Sequence, residues 1–345
     1  MSDPADALRR LTDDTGMLQH SRFGVPDRAH GYCIDDNARA LMLMAIATHL
    51  PGPLRSRWAH VYAAFVQDAW NEETRRFRNF MAFDRSWLER VGSSDSNGRT
   101  LWALAVTQRQ CPDVGLAEWA ATLFDETIGC VAPVQSPRTA AFVVLALLEV
   151  LPCRTDGDHL HFLLRQNAKL LLDLFERQSA ADWPWFEPYL SYDNYRLSEA
   201  MLRAGRALES DAMIDTGRAS LVWLVDRQTS LDGVFCPVGT AEFGVVHSEP
   251  RRYDQQPLEA WAAIDAAIAA ERIVPGARWV EHGEAAFAWF EGRNDASERV
   301  ADADTGECFD GVTATGVNRN RGAESVLAWH FAQRRISTLR TLDVC

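Results

Sequence analysis

The stretch DDNARALMLMAIATHL, residues 35–50, decides the fold. It places a short polar cluster ending in Arg39 directly before an apolar run rich in Ala and Leu. Asp and Asn at such a junction can accept hydrogen bonds from the free N–H groups of a first helical turn. An apolar run without charged residues is typical of a helix enclosed by its neighbours. The stretch therefore predicts the start of a buried helix.

The same arrangement, usually with Arg as the last residue of the cluster, recurs along the whole chain, which indicates an internal repeat. The six polar clusters are Asp36–Arg39, Ser96–Arg99, Gln135–Arg138, Asp193–Arg196, Tyr253–Gln256 and Asn318–Arg321. Their last residues stand at 39, 99, 138, 196, 256 and 321, so the steps are 60, 39, 58, 60 and 65 residues. Each step has room for two helices and their connections. The repeat therefore divides the chain into six units.

Amphipathic helical stretches fill the segments between the clusters. They are predicted at 55–70, 116–129, 158–178, 208–227 and 277–291. Six units of two helices predict an all-α fold, an (α/α)6 toroid with the Ala/Leu-rich helices inside and the amphipathic helices outside. No Pro/Ser-rich linker interrupts the chain, so we expect a single domain over residues 1–345.

In such a toroid the starts of all six inner helices meet at one mouth. Their helix dipoles would add partial positive charge there. Long insertions at 77–95, 231–252 and 302–320 are expected to form short β-hairpins or loops at the same mouth. Because long loops within a compact domain are usually functional, we expect the site of activity at this end.

Two segments carry a family resemblance. LRRLTDDTGMLQHSRFGVPDRAHGYCIDDNARALMLM (8–44) and WPWFEPYLSYDNYRLSEAML (183–202) resemble the six-hairpin glycosidase-like family, in a domain often found fused to bacterial glycosyltransferases or beside them. The resemblance covers residues 8–335 and implies the (α/α)6 fold. It also implies a carbohydrate substrate and a glycosyltransferase encoded nearby as a partner. The fold hosts hydrolases, phosphorylases, lyases and epimerases, so it does not choose the reaction.

Glycoside cleavage commonly uses two carboxyl groups, one protonating the leaving oxygen and one activating water or attacking. Asp35 and Asp36 stand at the first inner-helix start, where one could cap the helix while the other faces the cavity. Asp193 starts the fourth unit and is expected across the ring from Asp36, so these two are predicted as acid and base. Glu187, in an aromatic segment, and Asp254, at the fifth helix start, are the further catalytic candidates.

The predicted substrate-binding residues lie in the polar clusters, the N-terminal arm and the aromatic segment 183–189. They are His30, Tyr32, Asn37, Arg39, Asn97, Arg99, Trp183, Trp185, Tyr189, Asn194, Arg196 and Arg321. Aromatic faces stack on sugar rings, but Trp183 and Trp185 could equally pack in the core. For the arginines, the alternative is a set of structural ion pairs. Their partners would be Glu199, Glu259 and Glu324, one turn into the inner helices.

Three functions follow from these candidates. The leading hypothesis is an inverting glycoside hydrolase acting on an oligosaccharide or polysaccharide. The second is a sugar epimerase or isomerase in which His30 and His247 shuttle a proton. The third is a non-catalytic protein that binds glycan or holds a glycosyltransferase.

Composition and the absence of known motifs limit the kinds of partner and cofactor that can be expected. A formal net charge of -13 argues against nucleic acid or an anionic membrane as the main partner, since both attract clustered Lys and Arg. The sequence has no zinc-ligand spacing, phosphate-binding glycine loop or dinucleotide fingerprint, so no metal or cofactor is expected. No apolar run reaches the ~18 residues of a membrane span. Seven widely spaced cysteines and no signal-like start indicate reduced thiols and a cytoplasmic protein.

Overall fold

A computed structural model describes residues 3–131, 134–154, 157–246 and 253–342. Within these ranges the chain is mainly helical. The helices are α1 (Asp6–Leu11), α2 (Ile34–Ile46), α3 (Gly52–Ala69), α4 (Ser94–Gln110), α5 (Val114–Val131), α6 (Pro137–Val150), α7 (Asp158–Gln178), α8 (Tyr195–Ala207), α9 (Asp211–Arg227), α10 (Pro257–Ile273), α11 (Ala277–Phe290) and α12 (Ala323–Leu342). The five predicted amphipathic stretches correspond to α3, α5, α7, α9 and α11, and the apolar runs after the six polar clusters correspond to the even-numbered helices.

Short antiparallel strands occupy the connections. They are β1 (Ser21–Arg22), β2 (Val25–Pro26), β3 (Tyr32–Cys33), β4 (Trp70–Asn71), β5 (Arg76–Phe77), β6 (Phe80–Met81), β7 (Ala301–Asp302), β8 (Glu307–Cys308), β9 (Gly311–Thr313) and β10 (Gly316–Asn318). The pairs are β1 with β2, β3 with β6, β4 with β5, β7 with β8, and β9 with β10. The predicted hairpin in 302–320 is confirmed by β9 and β10. In 77–95, Met81 forms an antiparallel bridge with Trp87, and β6 also pairs with β3, so that Cys33 lies opposite Phe80.

The chain forms two compact units. The first comprises residues 1–167 with 320–323, and the second comprises 168–319 with 324–345. In the first unit α2 packs against α3 and α4, and α4 also packs against α5 and α6. In the second unit α8 packs against α9 and α10, and α10 also packs against α11. Trp261 of α10 stacks on Phe331 of α12, with ring centroids 4.1 Å apart. The single domain expected over residues 1–345 remains a prediction.

The even-numbered helices are buried nearly all round, as their composition predicts. Every residue of α2 from Asp36 to Ala45 is buried, and so is every residue of α10 from Pro257 to Ala270. The amphipathic helix α7 instead alternates buried and exposed positions. Two of the buried helices begin with serine caps: Ser93 accepts a hydrogen bond from the N–H of Ser96 in α4, and Ser136 does the same at α6. Neither Asp35 nor Asp36 caps α2, because both lie inside its first turn.

The six cysteines in the described ranges are all free. None of the helices in those ranges combines the length and the apolar composition needed to cross a membrane.

Helices α8 and α9 approach closely at two glycines, which have no side chain to separate them. A Cβ on Gly217 would lie 2.8 Å from the Leu202 backbone nitrogen and 3.1 Å from the Ser198 carbonyl oxygen. A Cβ on Gly205 would lie 2.7 Å from Ile214. The distances to the Leu202 nitrogen and to Ile214 are shorter than a Cβ atom tolerates, so the spacing of these two helices requires glycine.

Gly217→Ala is expected to destabilise the protein by about 1–3 kcal/mol, because the new methyl group forces α8 and α9 apart. The matched control is Gly129→Ala in α5, where the described structure leaves the added Cβ with no atom within 4 Å. There the higher helix propensity of Ala should stabilise the protein by up to about 1 kcal/mol. Urea unfolding of both variants measures the difference. Equal effects of the two substitutions would contradict the close packing of α8 on α9.

Candidate functional site

In the first unit, side chains connect the starts of three buried helices. Asp35 in the first turn of α2 accepts a hydrogen bond from the guanidinium of Arg99 in α4. Asp95 in the first turn of α4 accepts hydrogen bonds from Ser136 Oγ and Thr139 Oγ1 at the start of α6, both at 2.6 Å. The starts of α2, α4 and α6 therefore lie side by side, as the repeat predicts for one end of these helices. Convergence of all six starts stays a prediction.

Asp36 and Arg39 form a buried ion pair within α2. Arg39 Nη1 lies 3.1 Å from Asp36 Oδ1, and the two side chains are only 3% and 5% exposed. An acid in the first turn also interacts favourably with the helix dipole. The pair fixes the start of α2 and leaves Asp36 little access to solvent. Catalysis by Asp36 stays a prediction.

Asp35 is the more accessible of the two adjacent acids. Its side chain is 17% exposed, whereas that of its partner Arg99 is 4% exposed. The Arg99 guanidinium lies 4.5 Å from the centroid of the Phe142 ring, so a cation–π contact supports its position. The buried Cys33 thiol donates to Asn79 Oδ1 at 3.3 Å. Burial, with Asp35 and Asp36 nearby, raises the pKa of Cys33, which keeps the thiol protonated.

Asn37 and Asn97 occupy equivalent positions in their clusters and make the same contacts. Asn37 accepts from the Met17 N–H at 2.8 Å and donates to the Met17 and Cys33 carbonyls. Asn97 accepts from the Phe77 N–H at 2.9 Å and donates to the Phe77 carbonyl. Each amide therefore anchors a segment 20 residues upstream against its helix start. Substrate binding by either residue stays a prediction.

In the second unit, Arg196 is the centre of a buried ion cluster. Its Nη1 atom lies 2.7 Å from Glu199 Oε2 and 2.7 Å from Asp265 Oδ2, and its Nε atom lies 3.3 Å from Asp193 Oδ1. Burial alone would lower the pKa of Arg196, but the surrounding carboxylates of Asp265, Glu199 and Asp193 raise it. Arg196 and Glu199 therefore form the structural ion pair that was the alternative to substrate binding by Arg196.

Asp193 lies at the entrance of α8 in a left-handed conformation, with φ of 53°. Asp is among the residues that tolerate this region. Its N–H donates to the Glu259 carboxylate of α10, which joins the starts of α8 and α10. The following Asn194 donates to the Ser191 carbonyl and accepts from the Ser191 N–H, so its amide closes the turn before α8. Asp193 is 2% exposed, and its role as catalyst stays a prediction.

The aromatic segment packs into the second unit. Trp183 and Trp185 are 3% and 0% exposed and lie against Trp223 of α9, with ring centroids 4.8 and 5.6 Å away. The Trp183 indole N–H donates to the Glu187 carbonyl at 2.7 Å. Both indoles therefore pack in the core, the alternative given for them above, and sugar stacking by them stays a prediction. Glu187 is also buried, while Tyr189 is half-buried.

The remaining predicted residues lie in different settings. Tyr32 is buried and donates to Asp13 Oδ2 at 2.6 Å. His30 is exposed, with Nε2 4.0 Å from Asp27 Oδ2. Asp254 is exposed and its carbonyl accepts from the Thr240 N–H. Arg321 is half-buried, and the Ser21 hydroxyl bonds both its N–H and its carbonyl. His247 lies outside the described residues.

Three contributors to these clusters were missed in the sequence. Asp265 and Arg335 form an ion pair on α10 and α12 that completes the Arg196 cluster. A single acid within the Ala-rich run AAIDAAIAA is a signal that could have indicated Asp265, because an unpaired charge does not fit a buried helix. Asp95 directly precedes the second polar cluster, and its hydroxyl partners could not be read from spacing alone. Among the described residues no group of three or more metal-ligating side chains is present.

The sequence matches no protein-family profile and no curated protein sequence. Solved structures are similar over nearly the whole chain. A sugar epimerase from a ruminal bacterium has a TM-score of 0.73 and 13% identity, covering 98% of this chain and 95% of that one. A cellobiose 2-epimerase from Spirochaeta thermophila has a TM-score of 0.68 and 16% identity, covering 99% and 96%. The GH76 α-mannanase of Bacteroides thetaiotaomicron has a TM-score of 0.66 and 12% identity, also covering 99% and 96%.

These similarities identify the fold class. The chain has the (α/α)6 fold of the six-hairpin glycosidase-like proteins, with short β-hairpins in the connections, as the six-unit repeat predicts. At such low identities the similarity establishes the fold and leaves the reaction to the residues of this chain.

Asp265→Asn is expected to destabilise the protein by about 3–5 kcal/mol at pH 7, because Arg196 and Arg335 lose their shared carboxylate. Burial would raise the pKa of Asp265, but Arg335 and Arg196 lower it below its ordinary value. A carboxyl whose pKa is lower in the folded state stabilises the fold above its unfolded pKa, about 3.9. That stabilisation is lost as the pH falls through the folded pKa.

Urea unfolding between neutral and acid pH checks this prediction. The difference in the free energy of unfolding between wild type and Asp265→Asn should become smaller at acid pH. The control is Asp173→Asn, which removes an exposed i,i+4 pair with Lys169 and should cost less than about 0.5 kcal/mol. A difference in unfolding free energy that stays constant down to the pH of acid unfolding would contradict the pairing of Asp265 with the two arginines.

Proposed function

We propose that the protein is a carbohydrate-active enzyme, specifically an inverting glycoside hydrolase acting on an oligosaccharide or polysaccharide. The observation that carries this proposal is the contrast between Asp35 and its neighbours. Asp36, Arg39 and Arg99 have side chains that are 5% exposed or less, whereas the Asp35 side chain is 17% exposed. Asp35 is therefore held by a buried guanidinium while part of it still reaches solvent.

This geometry suits a general base. In inverting hydrolysis one carboxylate takes a proton from a water molecule as that water attacks the anomeric carbon. The Arg99 contact holds Oδ1 of the Asp35 carboxylate. Oδ2, which the Cys33 thiol approaches at 3.8 Å, is the oxygen that would accept the water proton. Fixed orientation of a catalytic group lowers the entropic part of the barrier. We assign the base role to Asp35.

A second carboxyl group protonates the leaving oxygen in this scheme. The candidates are the other predicted acids, Asp36, Glu187, Asp193 and Asp254. Single substitution of each by its amide assigns the role, since loss of the acid harms substrates with poor leaving groups most. The acid and base pairing of Asp36 with Asp193 remains one of the combinations that this series tests.

The substrate class follows from the fold and the resemblance together. Proteins with this fold and carbohydrate chemistry include the epimerases and the mannanase named above. The resemblance in residues 8–44 and 183–202 adds a glycosyltransferase encoded nearby, whose product would be the polysaccharide that this enzyme cleaves. The cytoplasmic location predicted from the sequence is part of the same proposal.

One observation favours a second candidate, a sugar epimerase. His20 and His30 are both exposed in the first unit, and their rings meet edge to face with centroids 4.7 Å apart. Asp27 lies 4.0 Å from the His30 ring nitrogen. Such a pair could move a proton to and from a sugar carbon. Under this alternative His30→Ala abolishes activity and Asp35→Asn does not.

Asp35→Asn is expected to lower kcat by at least about 10²-fold, the contribution of a general base. The measurement is release of reducing sugar from α- and β-linked glucans and mannans, with isomer composition of the products analysed in parallel. The control is Asp84→Asn, an exposed carboxylate in the same unit that should leave turnover unchanged. Circular dichroism confirms that both variants are folded.

Two results decide against these assignments, one against Asp35 as the base and one against the hydrolase. Turnover that persists in Asp35→Asn shows that Asp35 is not the base. Conversion of a free sugar to its isomer without release of reducing ends, with loss of that activity in His30→Ala, assigns the epimerase instead.

A further inference from the structure

A groove in the first unit lies outside the residues discussed so far. It follows β4 and the segment that returns from β6 to α4, and its volume is about 590 Å³. Ligand pockets typically fall between about 300 and 1,000 Å³. We call it the β4 groove, and its main lining residues are Trp70, Glu72, Arg78, Trp87, Glu89 and Arg90.

Two tryptophans are held rigidly along the groove. Both are half-buried, so each indole has a packed part and an accessible part. The Trp87 indole N–H donates to Asp68 Oδ2 at 3.1 Å, and its ring lies 5.4 Å from that of Phe65. The Trp70 ring lies 4.9 Å from that of Phe77. Rigid indoles bind at a low entropic cost, and their faces suit the apolar faces of sugar rings.

Most of the charges in the groove are compensated within the protein. Arg90 Nη2 lies 2.5 Å from Glu73 Oε2. The Arg78 guanidinium donates to the Asp68 carbonyl and lies 5.4 Å from the centroid of the Trp87 ring. Both arginines of the groove thus already have acceptors, and neither stands ready for an anionic group, so the groove is suited to a neutral ligand.

The two remaining glutamates differ in their surroundings. Glu89 Oε1 accepts the backbone N–H groups of Asn79 and Phe80, both at 2.6 Å, which fixes the carboxylate at the groove wall. Glu72 is exposed, and within the described part of the chain its carboxylate has no hydrogen-bond partner. A carboxylate with free acceptor positions beside an indole is a typical arrangement for binding sugar hydroxyls.

We propose that the β4 groove binds a neutral oligosaccharide, with Trp70 and Trp87 stacking on sugar rings and Glu72 accepting from hydroxyl groups. The choice of ligand class rests on the proposed function. The site itself does not use Asp35, so the groove would hold glycan on the same unit as Asp35 and raise its local concentration there.

The test observes the groove directly through the indole N–H signals of the ¹⁵N-labelled full-length protein. Trp70→Phe, Trp87→Phe and Trp119→Phe assign three of these signals. Trp119 is the matched control, because it is also half-buried in the first unit and donates its indole N–H to a side chain, Gln67, at 2.8 Å. Cellotetraose and mannotetraose are titrated into wild type and into Asp35→Asn.

We expect the Trp87 signal to shift with either sugar, in wild type and in Asp35→Asn alike, while the Trp119 signal stays in place. Glu72→Ala should raise the Kd read from the Trp87 signal by about tenfold or more, the cost of one hydrogen bond to a charged group. Trp70 and Trp87 signals that stay fixed at the highest concentration of both sugars would overturn the proposal. An unchanged Kd in Glu72→Ala would overturn the role of Glu72.

The experiment distinguishes rejection of glycan binding in the β4 groove from rejection of the proposed catalytic role of Asp35. Turnover is measured separately, and turnover that persists in Asp35→Asn rejects Asp35 as the base without moving the indole signals. Signals that stay fixed in an enzyme whose turnover depends on Asp35 reject the groove alone.

Discussion

A guanidinium taken out of water costs several kcal/mol unless carboxylates and other acceptors surround it. Arg39, Arg99 and Arg196 are all buried near the starts of Ala/Leu-rich helices. Each is paired with an acid, and in two cases the acid stands three residues earlier in the same cluster. The pairs either fix one helix start internally or join two neighbouring starts. The positions of the acids, and so the chemistry open to them, depend on this constraint.

The constraint separates two kinds of carboxylate. Asp36 and Asp193 follow the same sequence pattern and are both buried against an arginine of their own cluster. Asp35 pairs with an arginine from the next buried helix and keeps part of its surface accessible. Adjacent residues on a helix point about 100° apart, which is why two neighbouring aspartates have such different surroundings. The functional proposal depends on that difference.

The sequence predicted the helices well because their signals are local. A polar cluster before an apolar run marked the buried helices, and a period of 3.6 residues marked the amphipathic ones. The serine caps of α4 and α6 lie close to where those clusters stand. The pairing of β6 with β3 depends on contacts between residues about 50 positions apart, and no local pattern in 77–95 indicates it.

The site was less predictable because burial and pairing depend on tertiary contacts. Sequence spacing placed Asp35 and Asp36 at a helix start. The pairing of Asp35 with Arg99 depends on how α2 packs on α4, whereas Asp36 pairs with Arg39 within α2. The aromatic segment looked equally suited to a sugar subsite or to the core, and the packing of Trp183 and Trp185 on Trp223 reflects residues of α9 that lie about 40 positions away.

The most direct test of this account is a double-mutant cycle on Asp36 and Arg39, measured by urea unfolding of Asp36→Ala, Arg39→Ala and the double variant. If the buried pair holds the start of α2, the two residues should be coupled by at least about 1 kcal/mol. A coupling below about 0.5 kcal/mol, the value of an exposed pair, would contradict the account.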